Sequence, residues 1–226
     1  MELTWYGHSN FRIRVNGKTI VIDPFFQGNP TTPVLYTEIG QVDAVLLTHD
    51  HGDHVGQALE ICRASKATLV GVADTVGSLV KQGLPQELAL DMNIGGTVNV
   101  AGVAVHMVQA MHSSATGAAT GYILTMPDGF CLYHAGDTGL FGSMQLFSVF
   151  HKIDLALLPI GGHYTMDPRQ AAYACKLLGC RMVVPMHWGT FPVLEQNTDD
   201  FAEQLRLAAP DTELVALKPG QTLDFG

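Results

Sequence analysis

Thr48-His49-Asp50-His51-Gly52-Asp53-His54 packs three histidines and two aspartates into seven residues. Just before it, Asp43-Ala44-Val45-Leu46-Leu47 is an aliphatic run with the length and character of a buried strand. Just after it, Val55, Ala58, Leu59, Ile61 and Cys62 recur at helical spacing. The polar cluster therefore occupies the turn from a core strand into a helix. Ligand sites of α/β proteins form there, beyond the carboxyl ends of strands. His49 and His51 lie two residues apart and can reach one metal ion, while Asp53 and His54 swing toward a second. A solvated polar loop is the plain alternative, and the fixed His-x-His-x-Asp-His pattern argues against it.

The flanking sequence predicts more strands than helices in each half. Residues 2–6, 10–15 and 19–23 read as strands, the last two joined by the two-residue hairpin turn Asn16-Gly17. Pro24 stops that ladder after Asp23, and the Pro-, Gly- and Thr-rich stretch 24–40 reads as a long loop. A helix to Ser65, a strand at Thr68–Val72, a helix at Thr75–Gln82 and strands at Glu87–Met92, Thr97–Val100 and Val103–Val108 follow. A polar turn, 110–117, precedes a second hairpin, Gly121–Met126 with Phe130–His134, that ends at Gly136-Asp137-Thr138. The rest alternates: a helix at Ser143–His151, a strand at Leu155–Pro159, a helix from Asp167-Pro168 to Leu178, a strand at Met182–Met186, a helix from Thr198 or Asp199, and a strand at Leu214–Leu217. Asp167 as N-cap with Pro168 in the first turn is a strong helix start. The second half thus echoes the first, hairpin then turn with Asp then parallel steps. Two β-rich halves followed by helices imply an α/β protein with two mixed sheets face to face and helices outside, an α-β-β-α four-layer sandwich, as one domain over 1–226.

Bulk properties narrow the function. The chain has 226 residues, 47% of them apolar, and a net charge of −9, enough for one sizeable core. No Lys/Arg block offers the basic stripe that long nucleic acid requires. Two bound dications would add local positive charge, so an anionic small-molecule substrate stays open. Cys62, Cys131, Cys175 and Cys180 show no Cys-x-x-Cys spacing and read as buried free thiols of a cytoplasmic protein. No apolar run is long enough for a membrane span, and the N-terminus lacks a signal-peptide pattern. The apolar composition is compatible with a homo-oligomer.

Every His or Asp that follows a predicted strand into a polar or Gly-rich turn belongs to one set: Asp23, His49, His51, Asp53, His54, His112, Asp137, His163 and His187. Their order resembles the metallo-β-lactamase superfamily of metal-dependent hydrolases. Tyr6-Gly7-His8-Ser9, Ile22-Asp23-Pro24, Gly136-Asp137-Thr138 and Pro185-Met186-His187-Trp188 look most like its small metal-dependent hydrolase group, akin to L-ascorbate-6-phosphate lactonase and, more distantly, N-acyl-phosphatidylethanolamine phospholipase D. The resemblance implies that His49, His51 and His112 hold a first divalent ion, that Asp53, His54 and His187 hold a second, and that Asp137 bridges them. Imidazole and carboxylate donors without thiolate suit Zn²⁺ first, and Mn²⁺ or Fe as well. The implied chemistry is attack by a metal-bound hydroxide, oriented by Asp53, on a small ester, lactone or phosphodiester.

Several further residues carry two readings. Asp23 resembles an aspartate that fixes a ligand imidazole's tautomer, and it also reads as a plain cap before Pro24. His8, His163 and Tyr164 are candidate catalytic groups, for protonating a leaving group or donating to an oxyanion, and each also reads as structural. His134 is a candidate for support of the site, while His106 and His151 receive no function. The chain ends too soon after His187 for the added helical region of a glyoxalase-type thioesterase. The 49 residues between Asp137 and His187 leave no room for a nuclease clamp domain. His51 stands where a di-iron oxygen reductase is expected to carry Glu. Alternatives to the hydrolase are a nuclease or phosphodiesterase on short or cyclic nucleotides, and a non-catalytic metal-binding sensor module.

Overall fold

The first sheet grows from the Asn16-Gly17 turn in the computed structural model, which describes all 226 residues. Both turn residues take positive φ, 50° and 74°, as a two-residue turn matched to the strand twist requires. Val15 therefore pairs with Lys18, registering β2 (Phe11–Val15) antiparallel to β3 (Lys18–Ile22). On the other side of β2 lies β1 (Glu2–Trp5), also antiparallel. Pairing then turns parallel through β4 (Ala44–Leu46), β5 (Thr68–Val72) and β6 (Ala89–Met92). Parallel neighbours need long crossovers, and helices supply them. Helices α1 (Gly52–Val55) and α2 (Ala58–Ser65) join β4 to β5, and α3 (Ala73–Lys81) leads toward β6.

The second sheet repeats that plan. Strands β7 (Thr97–Val100), β8 (Val103–Gln109), β9 (Thr120–Thr125) and β10 (Cys131–His134) form an antiparallel meander. Parallel steps follow to β11 (Leu155–Pro159), β12 (Met182–Met186) and β13 (Glu213–Leu214). Their crossovers are α4 (Met144–Phe150), α5 (Pro168–Leu178) and α6 (Asp199–Ala208). A last strand, β14 (Thr222–Asp224), returns to the first sheet and pairs with β1. Each sheet has seven strands, in the orders β14-β1-β2-β3-β4-β5-β6 and β13-β12-β11-β10-β9-β8-β7.

Strand alternation sorts the side chains into layers. Ile20, Ile22, Ala44, Leu46, Val70 and Val72 join one core with Val105, Tyr122, Leu124 and Leu157 of the second sheet. Their neighbours Val21, Val45, Leu47 and Leu69 point the other way, onto Ala58, Ile61 and Cys62 of α2 and Val76 and Leu79 of α3. The result is the four-layer α/β/β/α sandwich that the sequence predicts, with two mixed sheets and helices outside. Each fully buried Leu, Ile or Val contributes about 1.5–3 kcal/mol of apolar transfer. Asp167 caps α5 by accepting from the Gln170 N–H at 2.7 Å, and Gly179 closes the helix with φ 56°.

The helix after the histidine cluster and the strands near the C-terminus differ from expectation, β14 (Thr222–Asp224) being a strand the sequence does not announce. The helix predicted to run from the histidine cluster to Ser65 is broken at Gly56-Gln57. Gly56 has φ +41°, and a Cβ there would sit 2.2 Å from the Pro24 carbonyl oxygen, so only glycine fits. Gln57 uses the break to hold the loop after β3: its N–H donates to the Pro24 carbonyl at 3.0 Å, and its Oε1 accepts from the Phe26 and Gln27 N–H groups at 3.0 and 2.8 Å. The late strand is limited to Glu213–Leu214, because the chain leaves the second sheet there to deliver β14 to the first. All four cysteines are buried and unpaired. No helix is long and apolar enough to cross a membrane.

Candidate metal centre

Six strands end on one cluster of imidazoles and carboxylates. β1 leads to His8, β3 to Asp23, β4 to the Thr48–His54 turn, β8 to His112, β10 to Asp137 and β12 to His187. His8, Asp23 and His187 take left-handed φ values of 54°, 47° and 57°. Such a conformation costs energy in a non-glycine residue and persists only where the surroundings hold it. Here the reversal just past the strand keeps all three side chains buried between the sheets.

The cluster separates into two groups with Asp137 between them. Ligand atoms of His49, His51 and His112 lie within 4.8 Å of one another, as do those of His8, Asp53, His54 and His187. His49 Nε2 stands 3.0 Å from His51 Nδ1. Asp137 Oδ2 reaches imidazoles of both groups, at 3.1 Å from His187 Nε2, 3.3 Å from His54 Nε2 and 3.6 Å from His112 Nε2. Each group draws on both sheets: His49, His51, Asp53 and His54 follow a strand of the first, and His112, Asp137 and His187 follow strands of the second.

The donors fit divalent cations. Asp137 Oδ1 is buried without a hydrogen-bond partner, an expensive state for a polar atom that a cation relieves. Imidazole nitrogen and carboxylate oxygen suit a borderline first-row dication. Burial, reinforced by the charge on His54, pushes His49 down to about 3, and burial with the neighbouring His187 pushes His8 down to about 4. Both imidazoles are therefore neutral at pH 7, as ligation requires. Burial alone would raise the carboxyls. For Asp53 the His8 hydrogen bond and the His54 charge outweigh it, and for Asp137 His54 and His187 do. Both stay ionised below the usual carboxylate range. His54 is the exception among the histidines: burial opposes its charge, but Asp137 and Asp23 on its two sides raise it well above the ordinary value.

Around these donors lies a supporting layer of hydrogen bonds. Asp23 Oδ2 accepts from His54 Nδ1–H at 2.7 Å and from the Thr48 hydroxyl at 2.7 Å, and Oδ1 accepts from the Thr48 N–H at 2.9 Å. That bond places the His54 Nδ1 proton away from the cluster and turns Nε2 toward Asp137. His8 Nε2–H donates to Asp53 Oδ2 at 3.1 Å, and its Nδ1 accepts from the Thr190 hydroxyl at 3.0 Å. Asp50, between the cluster's first two histidines, accepts from Ser114 Oγ, Ala115 N, Thr116 N and Thr116 Oγ1 at 2.7–3.0 Å. It ties the 110–117 turn, and so His112, opposite His49 and His51. His134 accepts from the Gly136 N–H at 3.1 Å through Nδ1 and donates to the Ser9 carbonyl at 3.0 Å, pinning the turn that carries Asp137.

Sequence reasoning gave Asp50 and Thr190 no role, since neither belongs to a ligand pattern. Their partners are found only once distant turns meet. The structure does not bring His163 into the cluster: it is exposed on the far side of Tyr164, ring to ring at 4.5 Å. Tyr164 lines the mouth of the pocket over the cluster, a cavity of about 550 Å³ shared with Ser113, Phe191 and Val193. His106 pairs with Thr97 and lies beside His151, away from the cluster.

A profile of the beta-lactamase superfamily domain matches residues 2–187. The chain belongs to the metallo-β-lactamase superfamily. It is 58% identical over 225 residues to a UPF0173 metal-dependent hydrolase of Nitratidesulfovibrio vulgaris, covering 98% of this chain and 94% of that one. It is 48% identical to a UPF0173 metal-dependent hydrolase of Lawsonia intracellularis, over 99% and 98% of the two chains. Among solved structures it superposes on Igni18, a metallo hydrolase from the archaeon Ignicoccus hospitalis, with a TM-score of 0.90 at 37% identity over 100% and 99% of the chains. This superfamily member is a metal-dependent hydrolase.

Proposed function

We propose that the chain is a dinuclear hydrolase of a small ester, lactone or phosphodiester. His49, His51 and His112 would hold one divalent ion, Asp53, His54 and His187 the other, and Asp137 would touch both. The observation that carries this reading is the position of Asp137 Oδ2, within 3.1–3.6 Å of imidazoles from both groups. When bound, such a pair supplies a water ionised near neutral pH and an electrophile for the developing oxyanion.

The protein's own groups arrange the reaction around that pair. His8 fixes the Asp53 carboxylate through Oδ2, so Asp53 presents its remaining lone pairs to the attacking water in one orientation. Asp23 holds the His54 proton on Nδ1. Ser113 Oγ, 3.4 Å from His51 Nε2, and the Tyr164 hydroxyl at the pocket mouth supply neutral donors for the substrate's polar atoms.

Metal content by mass spectrometry, together with turnover of p-nitrophenyl esters and bis-p-nitrophenyl phosphate, tests the reading. Two ions per chain are expected, with metal and turnover lost together in Asp137→Ala. One ion per chain in wild type, or full metal and activity in Asp137→Ala, refutes it. Two ions with no turnover of any class points instead to the sensor module.

A further inference from the structure

The turns that build the pocket share an unusual composition. The chain has twelve Lys and Arg residues, and none falls within 19–62, 82–151, 153–168 or 182–205. Those stretches include every turn that contributes to the cluster except the one carrying His8, which lies in 1–11 and also has no Lys or Arg. Neither Arg12 nor Arg169, which adjoin these stretches, lines the pocket over the cluster. Arg12 donates to Thr4 Oγ1 at 3.0 Å and lies over the Tyr6 ring, and Arg169 lines a separate groove with Tyr173 and Leu207.

Beyond the candidate ligands, the walls of the 550 Å³ pocket are Ser113, Tyr164, Phe191 and Val193. Phe191 stands edge-on to His8 at 5.6 Å. Tyr164 is 58% exposed and Val193 48% exposed, so apolar surface faces solvent at the mouth of an otherwise polar site. Apolar surface left open beside convergent polar groups marks where the uncharged part of a ligand sits. A phosphate or carboxylate held outside the metal pair is offset most strongly by Arg or Lys. In this pocket it would meet Phe191, Val193 and the field of a chain of net charge −9.

We propose that the substrate has no charged group outside its scissile linkage, and that it lays an alkyl or aryl substituent against Phe191, Val193 and Tyr164. The inference rests on the hydrolase reading above and narrows it. It separates this chain from a lactonase of phosphorylated sugars, whose substrate carries a dianion remote from the bond that breaks.

Two γ-lactones differing only in the side arm, one hexyl and one phosphomethyl, test it on the metal-loaded protein. The hexyl lactone is expected to show at least about tenfold higher kcat/KM. Phe191→Ala should raise its KM about tenfold with kcat little changed, the loss expected for one buried aromatic contact. Val193→Lys should move the preference toward the phosphomethyl compound. Calorimetric binding of the two ring-opened hydroxy acids gives a readout independent of turnover. Tighter binding of the hexyl acid with no turnover of either lactone sustains the substituent assignment and removes lactones from the proposed hydrolase reading. Preference for the phosphomethyl compound in either readout, or equal response to both, overturns the proposal.

Discussion

Replacing Asp23 separates its two jobs, stabilising the turn and setting the His54 tautomer. In Asp23→Ala three donors lose their acceptor: the Thr48 N–H, the Thr48 hydroxyl and His54 Nδ1–H. The hydroxyl can turn to His49 Nδ1, 3.0 Å away, which leaves two buried donors unpaired. At about 1–3 kcal/mol each, the ion-free protein should lose about 2–6 kcal/mol. Loss of such a partner also weakens metal binding about 10–100-fold. Asp23→Asn keeps the volume and an acceptor for the Thr48 N–H but turns an amide N–H toward His54. The imidazole must then carry its proton on Nε2, the nitrogen that would bind the ion. Asp23→Asn should therefore unfold closer to wild type in urea yet bind Zn²⁺ as poorly as Asp23→Ala in a competition with a chromogenic chelator. If the Asn variant binds within about twofold of wild type, Asp23 acts through packing and the tautomer argument fails.

Asp50→Ala removes four accepted hydrogen bonds and frees the turn that carries His112; about 2–4 kcal/mol of stability and the ion proposed to lie with His49, His51 and His112 should be lost, and an unchanged urea midpoint would contradict this. On the dinuclear reading, His8→Ala leaves Asp53 without its buried donor, so the ion proposed to lie with Asp53, His54 and His187 should be lost selectively; full occupancy by mass spectrometry would show that Asp53 needs no such support. Loading the ion-free protein should release a proton, because His54, raised by its two carboxylates, must give up its Nε2 proton to bind. Affinity should rise about tenfold per pH unit through neutrality, while that proton is still bound, and flatten above the raised value; potentiometric titration checks the sign. Gly56→Ala should cost about 2 kcal/mol or more from the Pro24 contact and the positive φ, read as a lowered thermal midpoint.

Much of the fold was legible because its signals are local. Thr68–Val72, Leu155–Pro159 and Met182–Met186 are apolar runs, and Thr97–Val100 an alternating one, whose ends match the structure, and Asn16-Gly17 and Asp167-Pro168 announce a turn and a helix start by their own chemistry. The helix break at Gly56-Gln57 was not legible, since its cause is the loop after β3 pressing against Gly56. The pairing of β14 with β1 joins residues at opposite ends of the chain, and no periodicity reports that. The His-x-His-x-Asp-His stretch pointed to the place of the site, and the strand-end rule gathered the rest. What the rule could not supply was which residues hold others in place. Thr190 and Asp50 act through hydrogen bonds to partners far away in sequence. His163 satisfies the same rule as His187, yet its turn points outward.

The division of each donor group between the two sheets has a consequence for how the protein folds. Neither half can assemble a complete candidate ion site alone, because the His49-His51 pair lacks His112 and the Asp53-His54 pair lacks His187 until the sheets dock. On the dinuclear reading, the ions can therefore bind at full strength only after the slow, non-local step of bringing the halves together. They should leave the folding rate nearly unchanged and slow unfolding instead, so loading acts as a kinetic latch on a sandwich that has already closed.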